Sequence, residues 1–257
     1  MDTDAVLRLL QEVAEEVINP RFRDLSADQV AEKNPGDLVT VADHEAEVLI
    51  TRALAAAYPD AVVLGEEAHS LDGSMMDDFL GAGHAFTVDP VDGTKNFVHG
   101  SRDHAVMVAE TRDGTVVRGW IWQPQHRRAY VAELGAGAYR DGERLVREAA
   151  PAEPGALRGV TSMRSRIGRA YGGLRPLELT WVCCGVDYPK LVEGEADFVL
   201  YGRARPWDHA AGSLLVSEAG GHVGDLEGTR YRPGTTPTGL LVAADPATYE
   251  LVRPLVA

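Results

Sequence analysis

The stretch AFTVDPVDGTKNF, residues 85–97, joins a short apolar run to an acidic turn and then to a glycine-led helical turn. The run from Ala85 to Val88 is short, bounded by turn residues, and typical of a buried strand. Asp89 and Asp92 follow directly, three residues apart, and Pro90 stiffens the turn between them. The stretch therefore predicts a strand that delivers two carboxylates at its carboxyl end.

A second apolar run, Ala61 to Leu64, ends in a similar way at Gly65, Glu66 and Glu67. Carboxylates crowded at neighbouring strand ends repel one another at neutral pH unless they are protonated or share cations. Mg²⁺ takes octahedral oxygen ligands and keeps several waters, so two or three carboxylates per ion suffice. A carboxylate that bridges two ions holds them roughly 3.5–4 Å apart, the spacing used in phosphoryl displacement. The two strand ends therefore indicate a magnesium site.

Each acidic residue also has an ordinary structural interpretation. Asp43 and Asp208 are each placed just before a helix, where an aspartate commonly caps free amides. Glu66 and Glu67 fit solvated loop charges, and the proline with the Asp-Gly pair fits a plain turn. An EF-hand loop is excluded, because the twelfth position counted from Asp89 is glycine and not glutamate. Zinc is disfavoured because the candidate ligands are rich in oxygen.

The turn that follows the acidic pair predicts an anion-binding site. Gly93 lets the backbone approach a ligand closely, and amides at a helix start point toward an anion. The Thr94 hydroxyl fits two roles, orienting a water or simply capping the turn. The Lys95 ammonium either adds a positive charge or faces solvent.

Helix and strand signals alternate along the rest of the chain. Apolar spacing predicts amphipathic helices, and alternating residues with aromatic content predict a meander of strands. The helices are expected at 6–17, 46–57, 208–219 and 245–254, and the strands at 105–111, 115–122 and 128–132. Residues 69–83, with three glycines, are interpreted as a mobile loop.

The pattern of helix and strand signals changes after the meander, and this change predicts two subdomains. Residues 1–147 form an α+β part that carries most of the candidate ligands and the phosphate turn. Residues 148–257 alternate short strands and helices and form an α/β part that supplies Asp208.

Composition limits the function. The 257 residues include 25 Lys and Arg against 39 Asp and Glu, a net charge of −14, so no nucleic-acid partner is expected. No apolar run reaches the roughly 18 residues of a membrane span, so no membrane partner is expected. Cys183 and Cys184 are adjacent and cannot join distant segments, which favours a reducing cytoplasm.

The ordered motifs resemble the inositol monophosphatase family of Mg²⁺-dependent, lithium-sensitive phosphatases. The resemblance covers roughly residues 5 to 225 and implies a five-layered α-β-α-β-α sandwich that usually forms a homodimer. The matching motifs are Gly36-Asp37-Leu38-Val39-Thr40, Asp43, Gly65-Glu66-Glu67, Asp89-Pro90-Val91-Asp92-Gly93-Thr94, Asn96-Phe97-Val98-His99-Gly100, Trp207-Asp208-His209-Ala210-Ala211-Gly212 and Glu218-Ala219-Gly220-Gly221.

The resemblance implies two Mg²⁺ ions, with room for a third near Glu66. Glu66, Asp89 and the Val91 carbonyl would hold the first ion. Asp89, Asp92 and Asp208 would hold the second, which would stabilise the leaving alkoxide.

The resemblance also implies how water and phosphate are held. Thr94, backed by Asp43 and close to Glu67, would orient the attacking water. The phosphate would rest on the amides of Gly93 and Thr94, with Lys95 nearby.

Departures from the family pattern concern the substrate. Tyr201 stands where many inositol-phosphate hydrolases carry a glutamate, so inositol 1-phosphate is not expected to be the best substrate. Arg203 and Arg205 fit a second anionic group or solvated surface charges. Cys184 is a further candidate substrate contact, and His104 stands where an apolar or aromatic residue is more usual.

The sequence therefore predicts a Mg²⁺-dependent phosphomonoesterase for a small polar metabolite. Inositol 1-phosphate is the default substrate, and histidinol phosphate, fructose 1,6-bisphosphate and 3′-phosphoadenosine 5′-phosphate are the alternatives. A non-catalytic binding or regulatory protein of the same fold is the competing hypothesis.

Overall fold

The protein is described from a computed structural model, which covers residues 1–235 and 239–257. No helix in these ranges is both long and apolar enough to cross a membrane. A π-helical turn, Ala14–Ile18, extends the first helix. The α-helices are α1 Thr3–Val13, α2 Val41–Ala57, α3 Glu66–Leu71, α4 Met75–Gly81, α5 Thr94–Val98, α6 Cys184–Val192, α7 Pro206–Glu218 and α8 Pro246–Val256.

The strands form a hairpin and two larger sheets. The hairpin pairs β1 Val30–Asn34 with β2 Asp37–Thr40. The seven-stranded sheet runs in chain order through β3 Val62–Gly65, β4 His84–Asp92, β5 Ala105–Arg112, β6 Thr115–Gln123, β7 Arg128–Glu133, β8 Gly137–Arg140 and β9 Glu143–Leu145. The five-stranded sheet has the order β11-β10-β12-β14-β13, from β10 Gly159–Thr161, β11 Glu178–Leu179, β12 Phe198–Tyr201, β13 His222–Asp225 and β14 Leu240–Ala243.

Alternating burial shows how the layers stack. Successive residues of a strand point to opposite faces. In β5, Met107 joins the core against α6 and α7, whereas Val108 joins the core against α1 and α2. In β12, Val199 faces that same central core, whereas Phe198 and Leu200 pack toward α8. The five-layered α-β-α-β-α sandwich is thus confirmed, with α6 and α7 between the two sheets.

Residues 69–83 do not form the predicted loop. Most of this segment lies in α3 and α4, and α4 buries Phe79 beside Leu64 and Trp207. Glycines at its ends suggested a loop, but Met75, Met76 and Phe79 give α4 one apolar face. The meander is confirmed and is extended by β8 and β9.

Candidate active site

The acidic turn lies at the end of β4, where its pairing with β5 is irregular. Asp89 pairs with Met107, and Asp92 pairs with Ala105, so three steps on β4 match two on β5. Residues three apart in a regular strand point to opposite faces, but an extra residue reverses that relation. Asp89 and Asp92 therefore line the same cavity, of about 180 Å³.

Gly93 follows this turn with φ +79°, in the left-handed region. A Cβ at this position would lie 3.0 Å from the Cys183 Cβ and 3.1 Å from the Asp103 carbonyl oxygen. Both the conformation and the lack of space therefore require glycine here. The turn leads directly into α5, which begins at Thr94.

Glu66 and Glu67 follow β3 as the first two residues of α3. The carboxylate of Glu47, on α2, accepts hydrogen bonds from the amides of Glu67 (2.7 Å) and Ala68 (2.8 Å). A Cβ at Gly65 would lie 2.3 Å from the Glu47 Cδ, so only glycine leaves room for this contact. The sequence analysis missed Glu47, which lies one helical turn after Asp43 and shares its burial.

Asp43 and Asp208 were expected to lie just before their helices, but both lie within them. Each is the third residue of its helix, α2 and α7 respectively. Thr40 is the N-cap of α2, and Asp43 Oδ2 accepts its amide at 2.9 Å. Asp43 Oδ1 accepts a hydrogen bond from Thr94 Oγ1, 3.0 Å away. Burial raises the pKa of the Asp43 carboxyl to about 7.

Three carboxylates meet in the smaller cavity. One oxygen from each of Glu66, Asp89 and Asp208 lies within 4.8 Å of the others. Burial, followed by the charge of Glu66, raises the pKa of both Asp89 and Asp208 well above the ordinary value. Asp89 Oδ1 is buried and has no hydrogen-bond partner among the described residues. Three converging carboxylates, one with a buried oxygen that lacks a partner, form an all-oxygen donor set that fits a hard divalent cation.

The other two predicted ligands, Val91 and Asp92, line the same smaller cavity. Asp92 Oδ2 accepts hydrogen bonds from the Gly185 amide and from Cys183 Sγ, at 3.0 Å for the sulfur, so α6 fixes this carboxylate. Cys183 is a second residue that the sequence analysis missed. The Val91 carbonyl lies 3.0 Å from Thr94 Oγ1.

Lys33 lies on β1 and contacts the acidic cluster. Its Nζ lies 2.8 Å from Glu66 Oε1 and 2.9 Å from Glu67 Oε1. Burial opposes the charged ammonium, but the two glutamates outweigh it and raise the pKa of Lys33. Burial also disfavours the charged form of Glu67, and this raises the pKa of its carboxyl group. The hairpin therefore places a cation against the acidic cluster.

A larger cavity, of about 760 Å³, adjoins the acidic cluster and shares Asp92, Lys95 and Asp208 with the smaller one. It brings together the predicted substrate contacts, Lys95, Cys184, Tyr201 and Arg203. Arg205 lies outside it and lines the smaller cavity.

Tyr201 is not a free hydrogen-bonding group in this cavity. It is only 3% exposed, and its hydroxyl donates to Asp187 Oδ2 at 3.2 Å. The other oxygen of Asp187 accepts the Trp181 amide at 2.8 Å. This pair is buried between α6 and β12, and the sequence analysis did not identify Asp187.

Comparison with known proteins agrees with this architecture. The model of the family described as "Inositol monophosphatase family" matches residues 2–257. The chain is 33% identical over 236 residues to the Nus factor SuhB of Pseudomonas aeruginosa, covering 84% of this chain and 82% of that one. It is 34% identical over 218 residues to the inositol-1-monophosphatase of Rhizobium meliloti, covering 80% and 79%. The solved structure of Thermotoga maritima IMPase matches with a TM-score of 0.78 at 25% identity, covering 98% of this chain and 95% of that one.

Proposed function

The chain belongs to the inositol monophosphatase family, and on that premise we propose that it is a Mg²⁺-dependent phosphomonoesterase for a small phosphorylated metabolite. The observation that carries the proposal is the meeting of Glu66, Asp89 and Asp208 beside a cavity large enough for a leaving group. A protein that only bound partners through this fold would have no need of three converging carboxylates, one of which has a buried oxygen without a hydrogen-bond partner among the described residues.

The proposed ligand sets are those that the family resemblance implies. Glu66, Asp89 and the Val91 carbonyl would hold one ion, and Asp89, Asp92 and Asp208 would hold another; all five residues line the smaller cavity. Mg²⁺ bound there supplies positive charge and Lewis acidity to the reacting phosphoryl group. A third ion near Glu66 would compete with Lys33, whose ammonium already contacts that carboxylate.

The protein's own groups orient the reactants. Thr94 donates its hydroxyl proton to Asp43, which leaves its oxygen lone pairs to accept a hydrogen bond from the attacking water. Glu67, beside this pair, contributes further negative charge. The phosphate rests against the amides of Gly93 and Thr94, and the leaving group extends into the 760 Å³ cavity.

Phosphate release tests this proposal directly. The panel contains inositol 1-phosphate, histidinol phosphate, fructose 1,6-bisphosphate and 3′-phosphoadenosine 5′-phosphate, each with Mg²⁺ and with or without lithium. We expect turnover that requires Mg²⁺ and is inhibited by lithium. Asp89→Asn and Asp208→Asn should abolish it while circular dichroism stays unchanged, and the exposed Asp60→Asn serves as the matched control. Mg²⁺-dependent turnover in Asp89→Asn would refute the site assignment.

A non-catalytic role is the second candidate, because one relative at 33% identity is named a Nus factor. The absence of turnover on the whole panel, with intact folding, would favour it. If turnover is found, the regulatory hypothesis is not needed to explain the carboxylates.

Three further proposals concern the oligomeric state, the location and the domain organisation of the protein. We propose a homodimer, which light scattering coupled to size exclusion would test; a monomer mass would contradict it. Cys183 and Cys184 are free thiols, which supports a reducing cytoplasm as the location. The two subdomains, 1–147 and 148–257, also remain a proposal, to be tested by expressing each separately.

A further inference from the structure

A second group of metal-ligating side chains adjoins the acidic cluster and shares Asp208 with it. One ligand atom from each of Cys184, Asp208 and His209 lies within 4.8 Å of the others. All three residues line the 760 Å³ cavity, so an ion that enters this cavity can reach them. The group joins a thiol and an imidazole to a carboxylate, whereas Glu66, Asp89 and Asp208 offer only oxygen atoms.

The two helices between the sheets bring these residues together. Cys184 is the first residue of α6, and Asp208 and His209 are the third and fourth residues of α7, which packs against α6. Tyr188 lies one turn after Cys184, and its hydroxyl is 2.9 Å from His209 Nδ1. This contact fits the hydrogen bond that orients a histidine ligand through the ring nitrogen that does not bind the ion. The packing of α6 on α7 therefore sets the geometry of the group.

Aromatic side chains limit the movement of His209. The residue is only 2% exposed, and its ring makes an edge contact with Tyr201 at 4.7 Å between ring centroids. Tyr188 and Tyr231 make similar contacts at 5.9 and 6.5 Å. Tyrosine rings thus hold the imidazole beside the partly exposed Cys184. The convergence of a thiol and a carboxylate on this ring distinguishes it from an ordinary core histidine.

Sulfur and nitrogen donors select a different class of ion from Mg²⁺. Thiolate and imidazole ligands suit Zn²⁺, whereas Mg²⁺ takes oxygen ligands. Ligands of one tetrahedral zinc ion lie roughly 3–4 Å apart, so side-chain shifts of about 1 Å would complete the set. Three protein ligands leave a fourth position for a water or an anion from the cavity. The sequence disfavours zinc because it does not place the Cys184 thiol beside His209.

We propose that Cys184, Asp208 and His209 form a binding site for Zn²⁺. The inference goes beyond the proposed phosphatase function, since binding at these residues needs no substrate and no turnover. The Cys184 thiol gives up its proton when its sulfur binds the ion. Because Asp208 belongs to both ligand sets, Zn²⁺ at this site competes with Mg²⁺ for that carboxylate. Zn²⁺ should therefore inhibit Mg²⁺-dependent turnover.

Cobalt(II) is the spectroscopic probe, because it accepts the same nitrogen and sulfur ligands as Zn²⁺ and absorbs light. Cys183 and Cys184 are the two cysteines of the chain, so a thiolate-to-cobalt charge-transfer band must come from one of them. We expect the protein, freed of metal by a chelator, to give this band in the near ultraviolet when Co²⁺ is added. Cys184→Ser should lose the band, and Cys183→Ser, the matched control, should keep it.

Calorimetry with Zn²⁺ tests the histidine. His209→Gln should weaken Zn²⁺ binding at least about 10-fold, and His126→Gln, a histidine outside the cavity, should leave it unchanged. Thermal denaturation shows whether each variant is folded, and Cys184→Ser decides the test if His209→Gln does not fold. No charge-transfer band in the parent, or a band that persists in Cys184→Ser, would overturn the inference.

Asp89→Asn separates failure of this inference from failure of the proposed function. It should lose Mg²⁺-dependent turnover but keep the Co²⁺ band, because Asp89 is not in the zinc ligand set. The band without turnover of any substrate would support the zinc site even if the phosphatase proposal fails. Turnover in the parent without the band would refute the zinc site and leave the phosphatase intact.

Inhibition by Zn²⁺ gives a further readout when turnover is found. The Zn²⁺ concentration that halves the rate, measured against each variant's own zinc-free rate, should rise at least about 10-fold in Cys184→Ser. An unchanged concentration would contradict the competition for Asp208, since it would show that Zn²⁺ inhibits without the Cys184 sulfur.

Discussion

The two sides of the cavity are built in different ways. On the acidic side, backbone amides and a hydroxyl donate hydrogen bonds to the buried carboxylates of Asp43, Glu47 and Asp92. The distal side is the part of the larger cavity that lies outside the smaller one; there Arg164 and Arg203 are exposed and have no ion-pair partner among the described residues. The acidic side is therefore organised by contacts within the protein, whereas no ion pair of the described residues fixes the two arginines. We expect substitutions on the first side to affect turnover and those on the second to affect substrate choice.

The largest expected effect comes from Gly93→Ala. Alanine would have to adopt a left-handed backbone conformation at this position. Its Cβ would also lie too close to Cys183 and to the Asp103 carbonyl. We expect stability to fall by about 2–3 kcal/mol and kcat/KM to fall about 100-fold, because the acidic turn would shift. Chemical denaturation and phosphate release measure the two effects.

Gly114→Ala is the control for Gly93→Ala. Gly114 also has positive φ, +70°, but nothing lies within 4 Å of a Cβ there. The Gly114→Ala variant should lose only about 1 kcal/mol of stability and should keep its activity. Equal losses in the two variants would show that the acidic side tolerates displacement.

A second prediction concerns acid stability beside this turn. His104 is buried against Phe22 and Phe97, and burial lowers its pKa from 6.5 to about 4. Between those values the unfolded chain binds a proton that the folded chain does not, so stability falls as pH drops through this window. The loss at pH 4 is roughly 3 kcal/mol. The neighbouring titratable groups are His126 and Asp103.

His104→Phe isolates this contribution from the other titrating groups. The stability difference between the variant and the parent, measured by denaturation at pH 7 and pH 4, should move in favour of the variant by roughly 3 kcal/mol. A difference that does not depend on pH would show that His104 is not the source.

A third prediction tests whether Glu47 positions the acidic side without contacting substrate. Glu47→Gln keeps the shape of the side chain but replaces one carboxylate oxygen by an NH₂ group. That group is a donor and would face the amide donor of Glu67 or Ala68. We expect kcat to fall about 10-fold, equivalent to about 1.4 kcal/mol, and half-maximal activity to need more Mg²⁺. Glu45→Gln, on the exposed face of the same helix, is the control. An unchanged Mg²⁺ requirement in Glu47→Gln would contradict the positioning role.

The acidic side could be predicted because its geometry depends on short sequence motifs. Asp89, Asp92 and Gly93 lie within one turn whose residue types allow few conformations, and Glu66 follows a recognisable strand. The same local logic failed for Asp43 and Asp208, because the helix starts depend on Thr40 and Pro206 two or three residues earlier.

The distal side could be predicted only in part: Tyr201 and Arg203 were expected near the substrate, but no local pattern joins Arg164 and Asp187 to them. Arg164 follows β10, Arg203 follows β12, and Asp187 lies on α6, so only the five-stranded sheet brings them together. Glu47 was missed for a related reason: on α2 it occupies a position where an ordinary surface glutamate is expected. Its role depends on contacts with α3, some twenty residues away.

The smallest expected effect comes from Val182, on the distal side. It lines the larger cavity, is 44% exposed, and has φ +60°, a conformation that a β-branched residue rarely adopts. Asn96 helps to fix this segment by donating to the Trp181 carbonyl at 2.9 Å. Val182→Gly should relieve backbone strain of about 1–3 kcal/mol, but glycine also loses more conformational entropy on folding. The net expected gain in stability is about 1 kcal/mol. Val146→Gly, an exposed valine without positive φ, should lose stability instead.

The kinetics of Val182→Gly show whether the strained backbone at this position affects substrate binding or the chemical step. If the strained backbone holds a substrate-facing side chain, the variant should be more stable and yet have a KM changed by several-fold, with kcat retained. That split would match the difference between the two sides, because a distal residue would affect recognition and not the chemical step. A fall in kcat at constant KM would contradict the division, since it would mean that residues 180–184 act on the acidic side through Cys183 and its contact with Asp92.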